Sequence, residues 1–450
     1  MEQLLRLLTL QDANTRTVLI GASLLGIASA VIGAFAVLRR RALVGDAVAH
    51  AALPGICLAY FVVGDRNFAA FMLGALIMGM VAAAFIALVK SVTRIKEDAA
   101  IGMAIGGFFG LGIVLSRIIQ NQPAGNRAGL DSFIFGKAAS MVGDDAVLIA
   151  IISTIVVCTV AVLYKEFKIL CFDRDFSASQ GWPTLLLDLA LMALVCLCTV
   201  AGLPAVGVVL MVSLLVIPPV AARFWTNRLG PMVLLSAAFG GAAGLLGTAL
   251  SATVPAPVSG LTRGWPTGPL ITLVAAAIFV VSLLVAPRRG LIADLVRRVR
   301  LRKRIAGQNF LRSVYELLEA KGDLAATWSI DDLDRFRSGR KAGTPEQVRL
   351  AIRSGTVRRA GERYTMTSSG WAQAAEIVRT HRLWEMFLIS RAEVAADQVD
   401  RDADRIEHVL APETVAMLEL ELIASGRAPK GVPASPHPEP NGNPARKAGS

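Results

Sequence analysis

The sequence predicts an all-α polytopic membrane bundle of eight or nine transmembrane helices, followed by a C-terminal cytoplasmic winged-helix unit. Three observations carry this. Long apolar runs succeed one another from about residue 15 to 286, whereas the chain from 297 onward is polar and charged. Clusters of Lys and Arg fall after alternate apolar runs. Beyond residue 309, three helical patterns are followed by a short alternating pattern with a turn glycine, the order of a winged helix. The overall composition, 54% hydrophobic and 18% charged with mean hydropathy +0.57, is an average over two unlike parts and excludes one soluble domain.

The apolar runs lie near 15–38, 47–64, 69–89, 99–119, 146–164, 184–201, 206–222, 231–252 and 269–286. The run 206–222 is short for a span, which leaves the count at eight or nine. The first run is expected to be a span and not a signal peptide, because further spans follow and Ala34, Phe35 and Ala36 make at best a poor cleavage site. Arg39 to Arg41, then Lys90, Arg94 and Lys96, then Lys165, Lys168 and Arg174, then Arg223 and Arg228, and finally Arg288 to Arg300 all fall on one side. The positive-inside rule makes that side cytoplasmic, with the N-terminus outside and the C-terminal unit inside a bacterial cytoplasmic membrane. Gly102, Gly106, Gly107, Gly110 and Gly112 in the fourth span, and Gly240, Gly241, Gly244 and Gly247 in the eighth, predict close helix packing inside the bundle. Pro218 and Pro219 are expected to end or break the seventh span. Glu97 and Asp98 suit a helix start, and Asp188 reads as an interfacial or intersubunit polar residue. No C-x-x-C pair exists, so neither a disulfide nor a thiolate metal site is indicated.

Chemistry concentrates in G45-D-A-V-A-H-A-A-L-P-G55. Asp46 and His50 stand one helical turn apart, and His50 is the only histidine in the first 380 residues. A carboxylate and an imidazole on one face suit manganese, iron or zinc better than calcium or magnesium, which prefer more oxygen donors. The same spacing also fits a helix cap or an interfacial hydrogen-bonded pair beside the three arginines.

That segment, with F172-D-R-D-F-S-A-S-Q-G181 and L214-L-V-I-P-P-V-A-A222, resembles the membrane permease of manganese, zinc and iron ABC importers over roughly residues 15–290. The resemblance implies Asp46 and His50 as metal contacts in the pathway, and a second permease subunit, identical or different. It further implies cytoplasmic ABC ATPase subunits and an extracytoplasmic metal-binding lipoprotein. It makes the loop bearing Phe172, Asp173, Asp175 and Gly181 a candidate ATPase contact; otherwise the loop merely connects two spans. The chain has no G-x-x-x-x-G-K-[ST] loop, so ATP hydrolysis belongs to a partner and the chain is a transport subunit, not an enzyme. No catalytic cofactor is expected; the metal is cargo, most readily manganese, alternatively iron or zinc.

In the C-terminal part, Phe310, Leu311, Val314, Leu317 and Leu318 form the apolar set of a helix over 309–325. A second helix is expected at 329–338 and a third at 344–354 with Thr344 as N-cap, then a hairpin from Val357 to Thr367 turning at Gly361. The segments T367-S-S-G-W-A-Q-A-A-E-I-V-R-T-H-R-L-W-E-M-F-L388 and D402-A-D-R-I-E-H-V-L410 resemble the helical dimerisation region of iron- and manganese-dependent repressors. The resemblance implies metal contacts at His381, Glu385, Asp404, Glu407 and His408. Two departures weaken the match: Asp400 stands where the iron type has a histidine, and only Asn309 is near the first-helix ligand position. Ion pairs on a helical dimer surface are the alternative.

The expected domains are therefore a permease domain (1–290), a basic linker (291–308), a winged helix (309–370), a repressor-like region (371–425) and a disordered Pro- and Gly-rich tail (426–450) that includes His437. Feedback of cytosolic metal on transport fits this arrangement. A membrane-tethered, metal-responsive DNA-binding regulator is a second reading, and Arg349, Arg353, Arg358 and Arg359 would be its basic footprint. An ion-coupled carrier is a third, disfavoured because it would call for more buried carboxylates.

Overall fold

Apolar periodicity and length give nine long bundle helices and two short ones among the described residues of a computed structural model, which are 13–41, 43–64, 67–121, 143–253, 266–323, 325–336, 345–391, 413, 415–417 and 420. The helices are α1 Ala13–Leu38, α2 Val44–Val63, α3 Phe68–Val92, α4 Glu97–Gln120, α5 Gly143–Val162, then two short ones, α6 Tyr164–Phe172 and α7 Arg174–Ser179, then α8 Thr184–Val206, α9 Val208–Trp225, α10 Leu229–Thr253 and α11 Thr267–Val285. Eight of them are long and apolar enough to cross a membrane, and α9 is the shorter apolar helix. The chain divides into two compact units, Met1–Asp294 and Leu295–Ser450.

In the first unit α1 is the central helix. Ala28, Ala30, Ile32, Ala34, Phe35 and Ala36 are all fully buried. Lipid offers no hydrophobic drive between helices, so association depends on close van der Waals contact. Glycine supplies it where α1 crosses α10: a Cβ on Gly240 would lie 2.2 Å from the Gly26 carbonyl oxygen. In the fourth span the expectation fails. Gly102, Gly106, Gly107 and Gly110 face open space, and only Gly112 packs, against Leu53 and Pro54 of α2. Glycine in a span marks where a backbone can be approached, and does not say by what.

Pro218 and Pro219 do not end their helix; both lie inside α9. The break comes at Gly207, whose φ of 83° separates α8 from α9. A Cβ on Gly202 of α8 would meet Met211 of α9 and Leu25 of α1. The chain thus reverses beside Leu25, the middle of α1, and α9 returns toward the end where Ala222 packs on Ala34 and Met232.

Side-chain contacts bring the basic clusters to one end of the bundle. Arg39 donates to the Leu170 carbonyl at 3.0 Å and pairs with Asp188 at 2.7 Å. Arg41 pairs with Asp188 at 3.2 Å and with Glu97 at 3.1 Å, and Glu97 also holds Lys90. Between them Arg40 adopts φ 59°, a left-handed turn that lets both neighbours aim at one carboxylate. Asp188 is 6% exposed and satisfied within its own chain, which replaces the intersubunit reading. Tyr164 and Phe167 of α6 pack on Phe35 at 6.3 and 5.8 Å, holding α6 against the same end of α1.

The second unit begins within α12, Leu291–Ala320, so the basic stretch 291–308 is helical. After it come α13 Ile330–Phe336, α14 Pro345–Arg353, β1 Val357–Ala360, β2 Arg363–Met366 and α15 Ser368–Arg391. The strands pair antiparallel from Val357 with Met366 to Ala360 with Arg363, turning at Gly361 with φ 66°. The five apolar residues expected on the first helix are all buried, around a fully buried Trp328 that also touches Phe310 and Tyr364. Thr367 caps α15: its hydroxyl accepts from the Gly370 N–H at 3.0 Å and donates to the Gly355 carbonyl at 2.7 Å. Thr344, the expected cap of α14, lies outside the described residues.

Candidate metal sites

The first turns of α2 position the candidate pathway pair. Gly45 brings Leu215 of α9 against the helix, since a Cβ there would lie 2.4 Å from a Leu215 methyl. Asp46 and His50 follow on one face, with Nε2 of His50 3.5 Å from Oδ1 of Asp46 and their side chains 26% and 31% exposed for His50 and Asp46. The imidazole meets the Phe109 ring edge-on at 4.9 Å. Phe109 stands at the midpoint of the 24-residue α4, about 18 Å of helical rise from its start. His50 thus sits at the depth of mid-span along α4.

Two further features leave donor capacity at this point. Nδ1 of His50 is buried and has no hydrogen-bond partner among the described residues. Pro54, inside α2 and packed on Gly112, has no N–H to give the His50 carbonyl. A carboxylate and an imidazole 3.5 Å apart can take one borderline cation between them, leaving its other positions to water or to groups from elsewhere. Among the described residues no group of three or more His, Cys, Asp or Glu side chains gathers. Among the described residues the pair offers two donors, fewer than the four of a closed structural site.

The segment carrying Phe172 and Gly181 is not a plain loop. Asp173 caps α7, accepting from the Phe176 N–H at 2.9 Å, and Gly181 closes the turn with φ 80°. Phe172, Phe176 and Trp182 remain 65%, 50% and 41% exposed, an aromatic surface beside a charged helix end.

In the second unit His381 and Glu385 come together on α15, Nε2 to Oε1 at 3.0 Å, and are 3% and 1% exposed. A third group joins them that the sequence reading missed: Arg312 of α12, 5% exposed, whose Nη1 lies 2.9 Å from Nδ1 and 3.3 Å from Nε2 of His381. Its Nε faces Glu316 at 3.2 Å. The signal was available, since Arg312 stands among the apolar set Phe310, Leu311 and Val314. Next to it Arg382 pairs with Glu319 at 3.1 Å; burial alone would lower the arginine's pKa, and Glu319 holds it above its usual value. Asp404, Glu407 and His408 lie outside the described residues.

Comparison with known proteins places these features in context. The sequence model of the ABC 3 transport family matches residues 11–286. A second, described as iron dependent repressor, metal binding and dimerisation domain, matches residues 367–434. The manganese transport system membrane protein MntC of Bacillus subtilis is 38% identical over 436 residues, covering 95% of this chain and 96% of its own length. The zinc transport system membrane protein TroC of Treponema pallidum is 41% identical over 300 residues, 67% of this chain and 97% of its own length. Among solved structures, PsaBC from Streptococcus pneumoniae in complex with Fab is 29% identical with a TM-score of 0.54, covering 64% of this chain and 96% of that one.

Proposed function

The chain belongs to the ABC 3 transport family, and from that premise we propose that it is the membrane permease of an ATP-driven manganese importer, with Asp46 and His50 as contacts on the ion's route. The observation that carries this is the open pair at mid-span, one nitrogen of which is buried without a hydrogen-bond partner among the described residues. Its oxygen and nitrogen donors suit manganese, and the absence of a thiolate disfavours a site built for softer ions. Manganese is further supported by the relative that matches both parts of the chain; the zinc-system relative matches only 67% of it.

Energy for transport comes from partner ATPase subunits, as the chain has no phosphate-binding loop. Their docking surface on this reading is α6 and α7 with exposed Phe172 and Phe176, and an external binding protein delivers the ion to the opposite face. The shared end of the Arg39, Lys90 and Arg174 clusters is cytoplasmic by the positive-inside rule. A second permease subunit has a natural seat on α4, where four glycines face open space near the exposed side of Phe109.

The C-terminal unit is a regulatory appendage. Its order of three helices, hairpin and long helix reads as a winged helix leading into a repressor-like dimerisation helix, and Asp404, Glu407 and His408 are candidate metal contacts on the resemblance alone. Reconstitution with the ATPase in proteoliposomes tests the transport reading: ATP-dependent manganese uptake is expected, with zinc and iron as competitors. Uptake without ATP would favour a carrier.

A further inference from the structure

The repressor-type match describes its region as metal binding, and the resemblance assigns His381 and Glu385 to the ion. The residues present do not fit that assignment. The pair itself has the right bite, since donors 3.0 Å apart can both reach a first-row ion at about 2.1 Å. What stands against it is a resident positive charge. Arg312 sets one guanidinium nitrogen within 3.3 Å of both ring nitrogens of His381, one of which would have to face the ion.

Arginine does not deprotonate in proteins, so this charge cannot be titrated away to make room. Nor is it loosely held. Arg312 is 5% exposed on a helix whose Leu311, Ser313 and Val314 are buried, and its Nε side faces Glu316. A carboxylate as buried as Glu385 requires a counter-charge, and the guanidinium provides one within the same cluster. Arg312 also comes from α12, the helix that leads into this unit, while His381 and Glu385 come from α15. The cation therefore ties the first helix to the last, which is the connection a metal ion would otherwise make.

We infer that Arg312 takes the place of a divalent ion at His381 and Glu385, and that this cluster holds α12 and α15 together without metal. The appended unit is then constitutive at this point, and the level of free metal does not switch it through this pair.

Full-length protein in detergent, carrying Asp46→Ala and His50→Ala so that the transport route binds nothing, permits a direct test. Manganese binding is titrated by the loss of the free-ion paramagnetic resonance signal. With Arg312 intact, adding Glu385→Gln is expected to leave the bound manganese unchanged, and melting of the protein is expected to shift equally in chelator and in excess manganese. Arg312→Met is expected to tighten manganese binding about tenfold or more, and Glu385→Gln is expected to abolish that gain. Manganese bound with Arg312 intact and lost with Glu385→Gln would overturn the inference. So would a folded Arg312→Met protein that gains no binding. Should Arg312→Met fail to fold, the first comparison decides alone, because it keeps the arginine.

Discussion

His50 holds one ring nitrogen toward Asp46 and leaves the other buried without a partner among the described residues. On the proposed function, that nitrogen is the one available to a passing ion. Asp46→Ala and His50→Ala should each reduce uptake at least tenfold while leaving the folded yield unchanged, because both side chains are partly exposed. Asp188 makes the opposite forecast. Removing its charge leaves half-buried Arg39 with only the Leu170 carbonyl while Arg41 keeps Glu97, so Asp188→Asn should destabilise the unit by about 1–3 kcal/mol, read as a lower melting temperature in detergent. In the second unit, Asp332 is drawn toward its charged form. Slight burial acts upward on its pKa, but Lys321, the Ser329 N–H and Arg363 together lower it. Stability from this group is therefore full above the ordinary carboxylate pKa and is lost as pH falls through the depressed folded value. Asp332→Asn should cost about 0.5–1 kcal/mol at neutral pH, and the difference from wild type should close in acid.

At the scale of elements, contact between spans depends on where a backbone can be reached. Gly240→Val in α10 would press a side chain onto the Gly26 carbonyl oxygen and should destabilise the α1–α10 crossing by about 1–3 kcal/mol, whereas Gly106→Val should leave an isolated subunit unaffected. Hydropathy made the long helices legible, and the Asp46–His50 spacing made their common face legible, because both depend on local periodicity. The rest depends on tertiary partners. A count of glycines treats Gly106 and Gly240 alike, yet one meets open space and the other a neighbouring helix. The prolines of α9 looked like helix ends, while the actual reversal is set by the backbone of Gly207. Arg312 went unremarked between Leu311 and Val314, because the group it faces, His381, comes from α15 and not from its own helix.

Across the whole molecule, the permease unit and the C-terminal unit have separate buried cores. TroC, a zinc transport system membrane protein, is matched over 97% of its own length by 67% of this chain, and on the proposed function the appended unit lies outside the transport route. A protein truncated after residue 304 should therefore retain ATP-dependent uptake; loss of uptake with a normally folded membrane part would show the appendage to be part of the transport machinery. The central claim is the joint one, that this bundle conducts a divalent metal past Asp46 and His50 when a partner hydrolyses ATP. Manganese accumulation in proteoliposomes holding the permease, its ATPase and its binding protein tests it most directly, with wild type, Asp46→Ala and His50→Ala compared with and without ATP. The expected result is ATP-dependent accumulation in wild type that falls at least tenfold in both variants. Equal accumulation by all three proteins, with unchanged preference among manganese, zinc and iron, would contradict it.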